Sequence, residues 1–277
     1  MYPDQPLTIF EIRAVDEAAL DIFNDPGQLR RLGPNLAGLH WEANFAFVFF
    51  TGDPGPDPAN FLAEYPNLET RYIHHLNYNQ WQDGAGAAPF TVAGLTVTGP
   101  EGGGEEPKII IDPGLAFGFG GHPTTHSCLT FLGRAICGNS PPTSALDLGT
   151  GTGILALAAA RWGLLKVVGV DYSHLAIEAA RNNLTLNNLI DRVSFYRAPA
   201  QNFCHHASEL LMANLHLNLQ EELLKLGAFD QRRQVIISGL LPSEGERLWN
   251  KLATLGFTLV DQIRTDRWIT IYGERRN

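Results

Sequence analysis

Cysteine is scarce in this sequence, and its placement argues against two classes of small protein. The 277 residues include only three cysteines, Cys128, Cys137 and Cys204. Their number is odd, and no two of them have the C-x-x-C spacing, so neither a disulfide framework nor a cysteine-based zinc site is expected. His122 and His126 lie four residues apart but lack the glutamate of a zincin motif. We therefore predict buried thiols and no metal site.

Long hydrophobic runs are also missing. The longest stretches, 45–50 and 154–160, contain at most seven residues, whereas a helix needs roughly 20 to cross a bilayer. No positively charged and then apolar leader opens the sequence. These absences predict a cytoplasmic protein that does not bind membranes.

Lysine is absent from the first 80 residues, where eleven acidic residues face four arginines. This region carries a net charge of −7, out of −9 for the whole chain. An acidic surface repels phosphate backbones, so the region is predicted to make no direct contact with nucleic acid and is better suited to a basic partner. The alternative is that these charges serve only solubility.

A glycine-rich loop is the most informative feature that the sequence does contain. It reads Asp147-Leu-Gly149-Thr-Gly151-Thr-Gly153 and lies between a predicted strand and a predicted helix. Glycines let the backbone turn sharply and let a ligand approach the N–H groups that open the helix. Twenty-two residues after Gly149, Asp171 ends a second apolar run, where a carboxylate can accept hydrogen bonds from ribose hydroxyls. The pair predicts a site for a nucleoside cofactor.

Two cofactors fit this loop on sequence grounds. A dehydrogenase fingerprint counted from Gly149 would need glycine at position 154, where Ile154 stands, although Gly151, Gly153 and Ala156 satisfy the looser version that ends in alanine. An acid that ends the first strand, as Asp147 does, is instead typical of S-adenosylmethionine-dependent methyltransferases. We favour S-adenosylmethionine, and a nicotinamide cofactor remains the alternative.

The order of apolar patterns predicts two domains, 1–77 and 78–277. The first is predicted to be a small α+β domain with a strand at 7–14, a helix at 16–23, one or two strands within 38–51 and a helix at 59–65. Within it, Trp41, Phe45, Phe47 and Phe49 alternate along the chain, which predicts that they form the core face of a sheet.

The second domain is predicted to be α/β, with a Rossmann-like, doubly wound and mainly parallel sheet. Strands and helices alternate regularly after residue 124, and the last two strands, 258–264 and 268–272, are expected to form an antiparallel hairpin at the edge of the sheet. Two further strands are predicted earlier, at 90–98 and 108–112. A capping box between Ser243 and Glu246 is expected to open the last helix.

Two more stretches are expected near the cofactor. Residues 112–125 form a glycine-rich segment that leads into a helix N-terminus, so a threonine hydroxyl and the first helical N–H groups can act as donors. Residues 213–215 end an apolar strand, where the amide of Asn214 can bind a substrate nitrogen. A turn-forming or helix-capping role is the alternative for Asn214.

Five motifs in the same order resemble the methyltransferases that modify ribosomal protein L11, the PrmA family. They are Asp112 to Thr125, Asp147 to Leu155, Val168-Gly-Val-Asp171, Met212-Ala-Asn214-Leu and Ser238-Gly-Leu-Leu, within a resemblance that covers roughly residues 78–277. The resemblance implies a Rossmann-like domain preceded by a ferredoxin-like domain that recognises the substrate. It also implies transfer of methyl groups from S-adenosylmethionine to lysine side chains and the N-terminal amine of a basic ribosomal protein.

The resemblance also assigns roles to single residues. Thr125, Gly149, Asp171 and Asn214 match cofactor-contacting positions; beside them we predict Asp147, Gly151, Gly153 and Phe117 as cofactor-binding residues and Asn214 as the catalytic residue. Phe119 stands where the family has threonine, and the first 75 residues match only in outline. The alternatives are a methyltransferase for the lysines of another protein, a nicotinamide-dependent oxidoreductase, and a catalytically silent adaptor. A monomer is expected.

Overall fold

The computed structural model describes residues 5–42, 44–77, 89–114, 122–265 and 267–275. The chain divides into two compact units, Met1–Gly84 and Ala85–Asn277. The predicted domain boundary, between residues 77 and 78, lies at the start of the stretch 78–88, which is outside the described residues.

The first unit is a four-stranded sheet with helical segments between its strands. The strands are β1 (Pro6–Ala14), β2 (Leu36–Glu42), β3 (Phe45–Thr51) and β4 (Leu68–Asn77). The helical segments are a 3-10 helix (Glu17–Asn24), α1 (Pro26–Leu29), a second 3-10 helix (Arg30–Leu32) and α2 (Asp57–Ala63). The strand order is β2-β3-β1-β4, and every neighbouring pair is antiparallel.

The aromatic stripe was assigned to the wrong face of β3. The residues of β3 that belong to the core under the helical segments are Ala46, Val48 and Phe50. Phe49 is buried but is not one of these core residues, whereas Phe45 and Phe47 are only half-buried. Alternation along a strand identifies two faces, but only the packing of the helices decides which of them becomes the core.

Strand β4 was missed in the sequence. Its seven residues 69–75 are exposed, so the polar and apolar alternation that marks a half-buried strand is absent. The predicted helix at 16–23 is a 3-10 helix, and Asp16 caps it by accepting a hydrogen bond from the Ala19 N–H at 2.9 Å. The helical segment could be predicted from the local sequence, whereas the pairing of an edge strand could not.

The second unit contains the remaining strands and helices. The strands are β5 (Phe90–Val92), β6 (Leu95–Thr98), β7 (Lys108–Ile110), β8 (Ser144–Leu148), β9 (Lys166–Asp171), β10 (Val193–Arg197), β11 (Leu210–Asn214), β12 (Gln234–Leu240), β13 (Phe257–Arg264) and β14 (Ile269–Arg275). The helices are α3 (Pro123–Ile136), α4 (Ile154–Arg161), α5 (His174–Leu186), α6 (Leu217–Lys225) and α7 (Pro242–Thr254), with a 3-10 helix at Ala200–Phe203.

The main sheet has seven strands in the order β10-β9-β8-β11-β12-β14-β13. The first five of these strands are parallel, and β14 runs antiparallel to both β12 and β13. Helices α3, α4 and α5 cover one face of the sheet, and α6 and α7 cover the other. The mixed α/β fold with a large, mostly parallel sheet is therefore confirmed.

Two local predictions in this unit were wrong. The strand predicted at 90–98 is a hairpin of β5 and β6, because Ala93 and Gly94 both have positive φ and reverse the chain. The last helix begins at Pro242, and Glu244 accepts the hydrogen bond from the Leu241 N–H at 2.8 Å. Glu246 forms an ion pair with Arg264 instead.

The C-terminal hairpin is present, but its last strand lies inside the sheet, because β14 separates β12 from β13. Among the described residues, no helix is both long and apolar enough to cross a membrane.

Candidate functional site

Three of the predicted residues meet at one edge of the main sheet. Gly149 follows β8, Asp171 ends β9, and Asn214 ends β11. These strands are parallel neighbours, so their carboxyl ends lie side by side. The strand order reverses between the neighbouring strands β8 and β11. Ligands bind at this switch point in doubly wound folds.

Packing of the protein itself requires glycine at both ends of the glycine loop. Gly149 and Gly153 have φ values of 70° and 82°, which side chains rarely adopt. A Cβ atom on Gly149 would lie 2.3 Å from the Leu215 side chain, and one on Gly153 would lie 2.7 Å from the ring of Phe195. The loop is therefore packed closely against Leu215 and Phe195 at its two ends.

The carboxylate of Asp171 connects the two sequence signals directly. It accepts hydrogen bonds from the Gly151 N–H at 3.0 Å and from the Ser173 N–H at 2.9 Å. Carboxylate oxygens also accept hydrogen bonds from hydroxyl groups such as those of a ribose. A half-buried acceptor beside a bare backbone loop is the donor and acceptor set that a ribose and its base require. The residues present thus fit a nucleoside cofactor.

Asp147 lies beneath this loop. Its side chain is only 1% exposed, and it accepts the Thr150 hydroxyl at 2.6 Å. Burial raises the pKa of Asp147 to about 7; the negative charge of Asp171 also raises it, while the Thr150 hydrogen bond opposes the shift. The contact that the structure gives Asp147 shapes the loop, and its role as a cofactor contact remains a prediction.

Asp147 should make the stability of the fold depend on pH. Its folded pKa is raised above the unfolded value, so its favourable contribution is complete below about pH 4 and is lost as the pH rises through about 7. Asp147→Asn keeps an acceptor for Thr150 but cannot ionise. The variant should therefore exceed the natural protein in free energy of unfolding by up to roughly 4 kcal/mol at pH 8 and by less at pH 5. Urea unfolding at both pH values, with the exposed Asp191→Asn as control, measures this; a difference that does not change with pH would contradict it.

A chain of hydrogen bonds orients the amide of Asn214. Asn214 Nδ2 donates to Thr124 Oγ1 at 3.2 Å, and Thr124 Oγ1 lies 2.7 Å from His122 Nδ1. The backbone N–H of Thr124 also donates to His122 Nδ1, so this nitrogen is an acceptor and the Thr124 hydroxyl must donate to it. Burial lowers the pKa of His122, which favours the same neutral ring. Because Asn214 Nδ2 faces the Thr124 hydroxyl, the other end of the amide, Oδ1, is the end that can accept a hydrogen bond.

Asn214 does not cap a helix, because the N-cap of α6 is His216. The turn that follows Asn214 is held by the buried Gln220, whose Nε2 donates to the carbonyls of Leu215 and Ser238 at 2.6 and 2.7 Å. These two hydrogen bonds fix the backbone that follows Asn214, and they thereby hold its side chain at the end of β11.

The structure describes some, but not all, of the other predicted residues. Thr125 is buried in the first turn of α3, next to Thr124. His122 caps that helix and packs against Trp268, with 5.6 Å between ring centroids. Phe117 and Phe119 lie outside the described residues. Among the residues that are described, no group of three His, Cys, Asp or Glu side chains is arranged to hold a metal ion.

Sequence reasoning missed the residues that hold this site together. Thr124 was not distinguished from the other residues of 112–125, and Gln220, Asn183 and Asn187 were not singled out. Their roles depend on contacts between distant segments, which the spacing of residues along the chain does not show.

Comparison with known proteins identifies the family of the second unit. Residues 79–276 match the family model described as Ribosomal protein L11 methyltransferase (PrmA). The chain is 34% identical over 173 residues to the ribosomal protein L11 methyltransferase of Bacillus cereus (strain Q1), which covers 60% of this chain and 53% of that relative. It is 36% identical over 172 residues to the protein of the same name from Erwinia tasmaniensis, covering 61% of this chain and 57% of that relative.

A solved structure is also similar. The ribosomal protein L11 methylase of Lactobacillus delbrueckii subsp. bulgaricus has a TM-score of 0.55 and 29% identity, covering 66% of this chain and 95% of that one. The chain spans little more than half the length of the curated relatives that it matches.

Proposed function

Because this chain belongs to the ribosomal protein L11 methyltransferase (PrmA) family, we propose that it transfers methyl groups from S-adenosylmethionine to amino groups of a protein. The most direct candidate substrate is the set of lysine side chains on ribosomal protein L11. The single observation that carries the proposal is the contact between Asp171 and the Gly151 N–H, which joins the two halves of a nucleoside site at the switch point of the sheet.

In this proposal the cofactor lies along the glycine loop. Gly149, Gly151 and Gly153 present backbone to it, and Asp171 accepts its ribose hydroxyls. Thr125, Asn214 and Phe117 complete the predicted contacts, and Asp147 supports the loop from below. S-adenosylmethionine, when bound, supplies a methyl group that its positively charged sulfur has already activated.

The protein's main task is therefore to present a neutral amine in line with that methyl group. A free lysine has a pKa near 10.4, so only about one molecule in a thousand is neutral near pH 7.4, which corresponds to roughly 4 kcal/mol. A site that excludes water and offers hydrogen-bond acceptors can favour the neutral amine and orient its lone pair.

Asn214 is the residue that we assign to this orientation. Since its Nδ2 donates to Thr124, its Oδ1 can accept an N–H from the substrate amine. His122 and Thr124 set this polarity, because the backbone N–H of Thr124 requires an acceptor at His122 Nδ1. S-adenosylmethionine would supply the activated methyl group, and Asn214 would hold the amine nitrogen in line with it.

We further propose that the first unit is a ferredoxin-like domain that selects the substrate. The order of its elements, β1, helical segments, β2, β3, α2 and β4, and its sheet order β2-β3-β1-β4 support this assignment. The excess of acidic residues in the first 80 positions suits a basic protein partner. A monomer acting in the cytoplasm, without contact to nucleic acid, completes the proposal.

Two measurements test the proposed function. Calorimetry should detect binding of S-adenosylmethionine and no binding of NAD; the reverse result would favour an oxidoreductase. Mass spectrometry of ribosomal protein L11 after incubation with the protein and S-adenosylmethionine should show mass additions of methyl groups on lysines. Cofactor binding with no transfer to L11, but with transfer to another basic protein, would reassign the substrate; no transfer to any would leave a silent adaptor.

A further inference from the structure

Two asparagines one turn apart, Asn183 in α5 and Asn187 at its C-cap, are buried and hydrogen-bonded through their side chains. Asn183 and Asn187 are 0% and 4% exposed. Asn183 Oδ1 accepts the Asp112 N–H at 2.8 Å, and Asn183 Nδ2 donates to the Thr152 carbonyl at 3.0 Å. Asn187 pairs with both the N–H and the carbonyl of Ile110, at 2.8 and 2.6 Å. Replacing such an amide should lower the free energy of unfolding, because each partner would be left buried without a hydrogen bond.

The partners of Asn183 belong to two separate parts of the cofactor site. Thr152 lies within the glycine loop. Asp112 opens the segment that leads to Thr125, and its own carboxylate accepts the Gly114 N–H at 3.0 Å. Asn183 is therefore a direct hydrogen-bonded link between Thr152 of the glycine loop and Asp112.

We propose that Asn183 is a positioning residue for the cofactor: its amide holds the Thr152 carbonyl of the glycine loop and the backbone of Asp112 in a fixed relation before the cofactor arrives. The proposal rests on the S-adenosylmethionine site assigned above. A preorganised site binds more tightly because less ordering accompanies binding. Loss of the link should therefore weaken cofactor binding without any loss of a direct ligand contact.

Asn187, the C-cap of the same helix, provides a comparison. Among the residues that the structure describes, its side chain bonds to Ile110 and to the Asn183 carbonyl, and not to an atom of the glycine loop. A purely structural role predicts that both asparagines contribute to stability and that neither affects cofactor binding on its own. A positioning role predicts that Asn183 alone changes the affinity.

The test uses Asn183→Asp, which keeps an acceptor for the Asp112 N–H but places a carboxylate oxygen against the Thr152 carbonyl. Calorimetry should show an approximately tenfold rise in the Kd for S-adenosylmethionine, against less than about threefold for Asn187→Asp at a similar loss of thermal stability. The neighbouring Asn182 is exposed, so Asn182→Asp is the matched control and should bind as the natural protein does. With the proposed substrate, the KM for the cofactor should rise while kcat at saturation stays within about twofold.

Unchanged affinity in Asn183→Asp, or equal losses of affinity in the Asn183 and Asn187 variants, would overturn the proposal. If Asn183→Asp does not fold, hydrogen exchange in the natural protein decides: the Asp112 amide should be protected without cofactor, and exchange at the rate of a free amide would reject the link. An Asp171→Ala variant separates the two levels of inference. If the Asp171→Ala variant binds S-adenosylmethionine normally, the proposed cofactor site is wrong. If Asp171→Ala loses affinity and Asn183→Asp does not, only the proposed role of Asn183 is wrong.

Discussion

Replacing Asp171 by alanine should weaken the binding of S-adenosylmethionine about 100-fold. In the proposed site this carboxylate accepts two ribose hydroxyls, and hydrogen bonds to a charged group contribute about 1.5–3 kcal/mol each. Even the lower sum of about 3 kcal/mol corresponds to roughly two orders of magnitude in Kd. The Gly151 and Ser173 N–H groups would also lose their acceptor, so the loop would be less well ordered.

Isothermal calorimetry with the Asp171→Ala variant measures this effect. Asp191→Ala is the matched control, because Asp191 is an exposed acid of the same unit and should leave the affinity unchanged. Asp171→Asn should lie between the two, since an amide retains one acceptor but carries no charge. Equal affinity of the Asp171→Ala variant and the natural protein would remove the basis for the proposed cofactor site.

The Asn214→Ala variant should lower kcat for methyl transfer about 100-fold. Misplacement of a reacting group by about 1 Å can cost that much, and Asn214 is the residue proposed to hold the amine. Cofactor affinity should fall by less than about tenfold, because a single neutral hydrogen bond contributes about 1 kcal/mol. The expected signature is therefore a loss concentrated in kcat.

Removing the hydrogen-bond partner of Asn214 should have a smaller effect on kcat than removing Asn214 itself. Thr124→Val removes the hydroxyl that receives Asn214 Nδ2 while keeping the shape of the side chain, and should lower kcat about tenfold. Asn218→Ala, at an exposed position in α6, is the control. Full turnover together with unchanged cofactor binding in Asn214→Ala would show that this residue does not position the amine.

Much of the second unit was predictable because its signals are local. The glycine loop, the acid that ends β9 and the N-cap at Ser173 each depend on a few consecutive residues. The prediction at 90–98 failed because a two-residue reversal at Ala93 and Gly94 leaves a continuous apolar pattern. The missed strand β4 owes its conformation to pairing with β1, and its own sequence carries little periodicity.

The sequence by itself determined the fold class, the likeness to a methyltransferase family and the positions at which strands meet the glycine loop. These follow from hydrophobic periodicity and from glycines whose conformation few other residues can adopt. Only the tertiary structure decided that Thr124 orients Asn214, that Asp147 is buried beneath the loop and that Asn183 joins Asp112 to the glycine loop. Each of these contacts joins side chains to groups brought together by burial, and the direction of a hydrogen bond between distant segments has no counterpart in the spacing of residues along the chain.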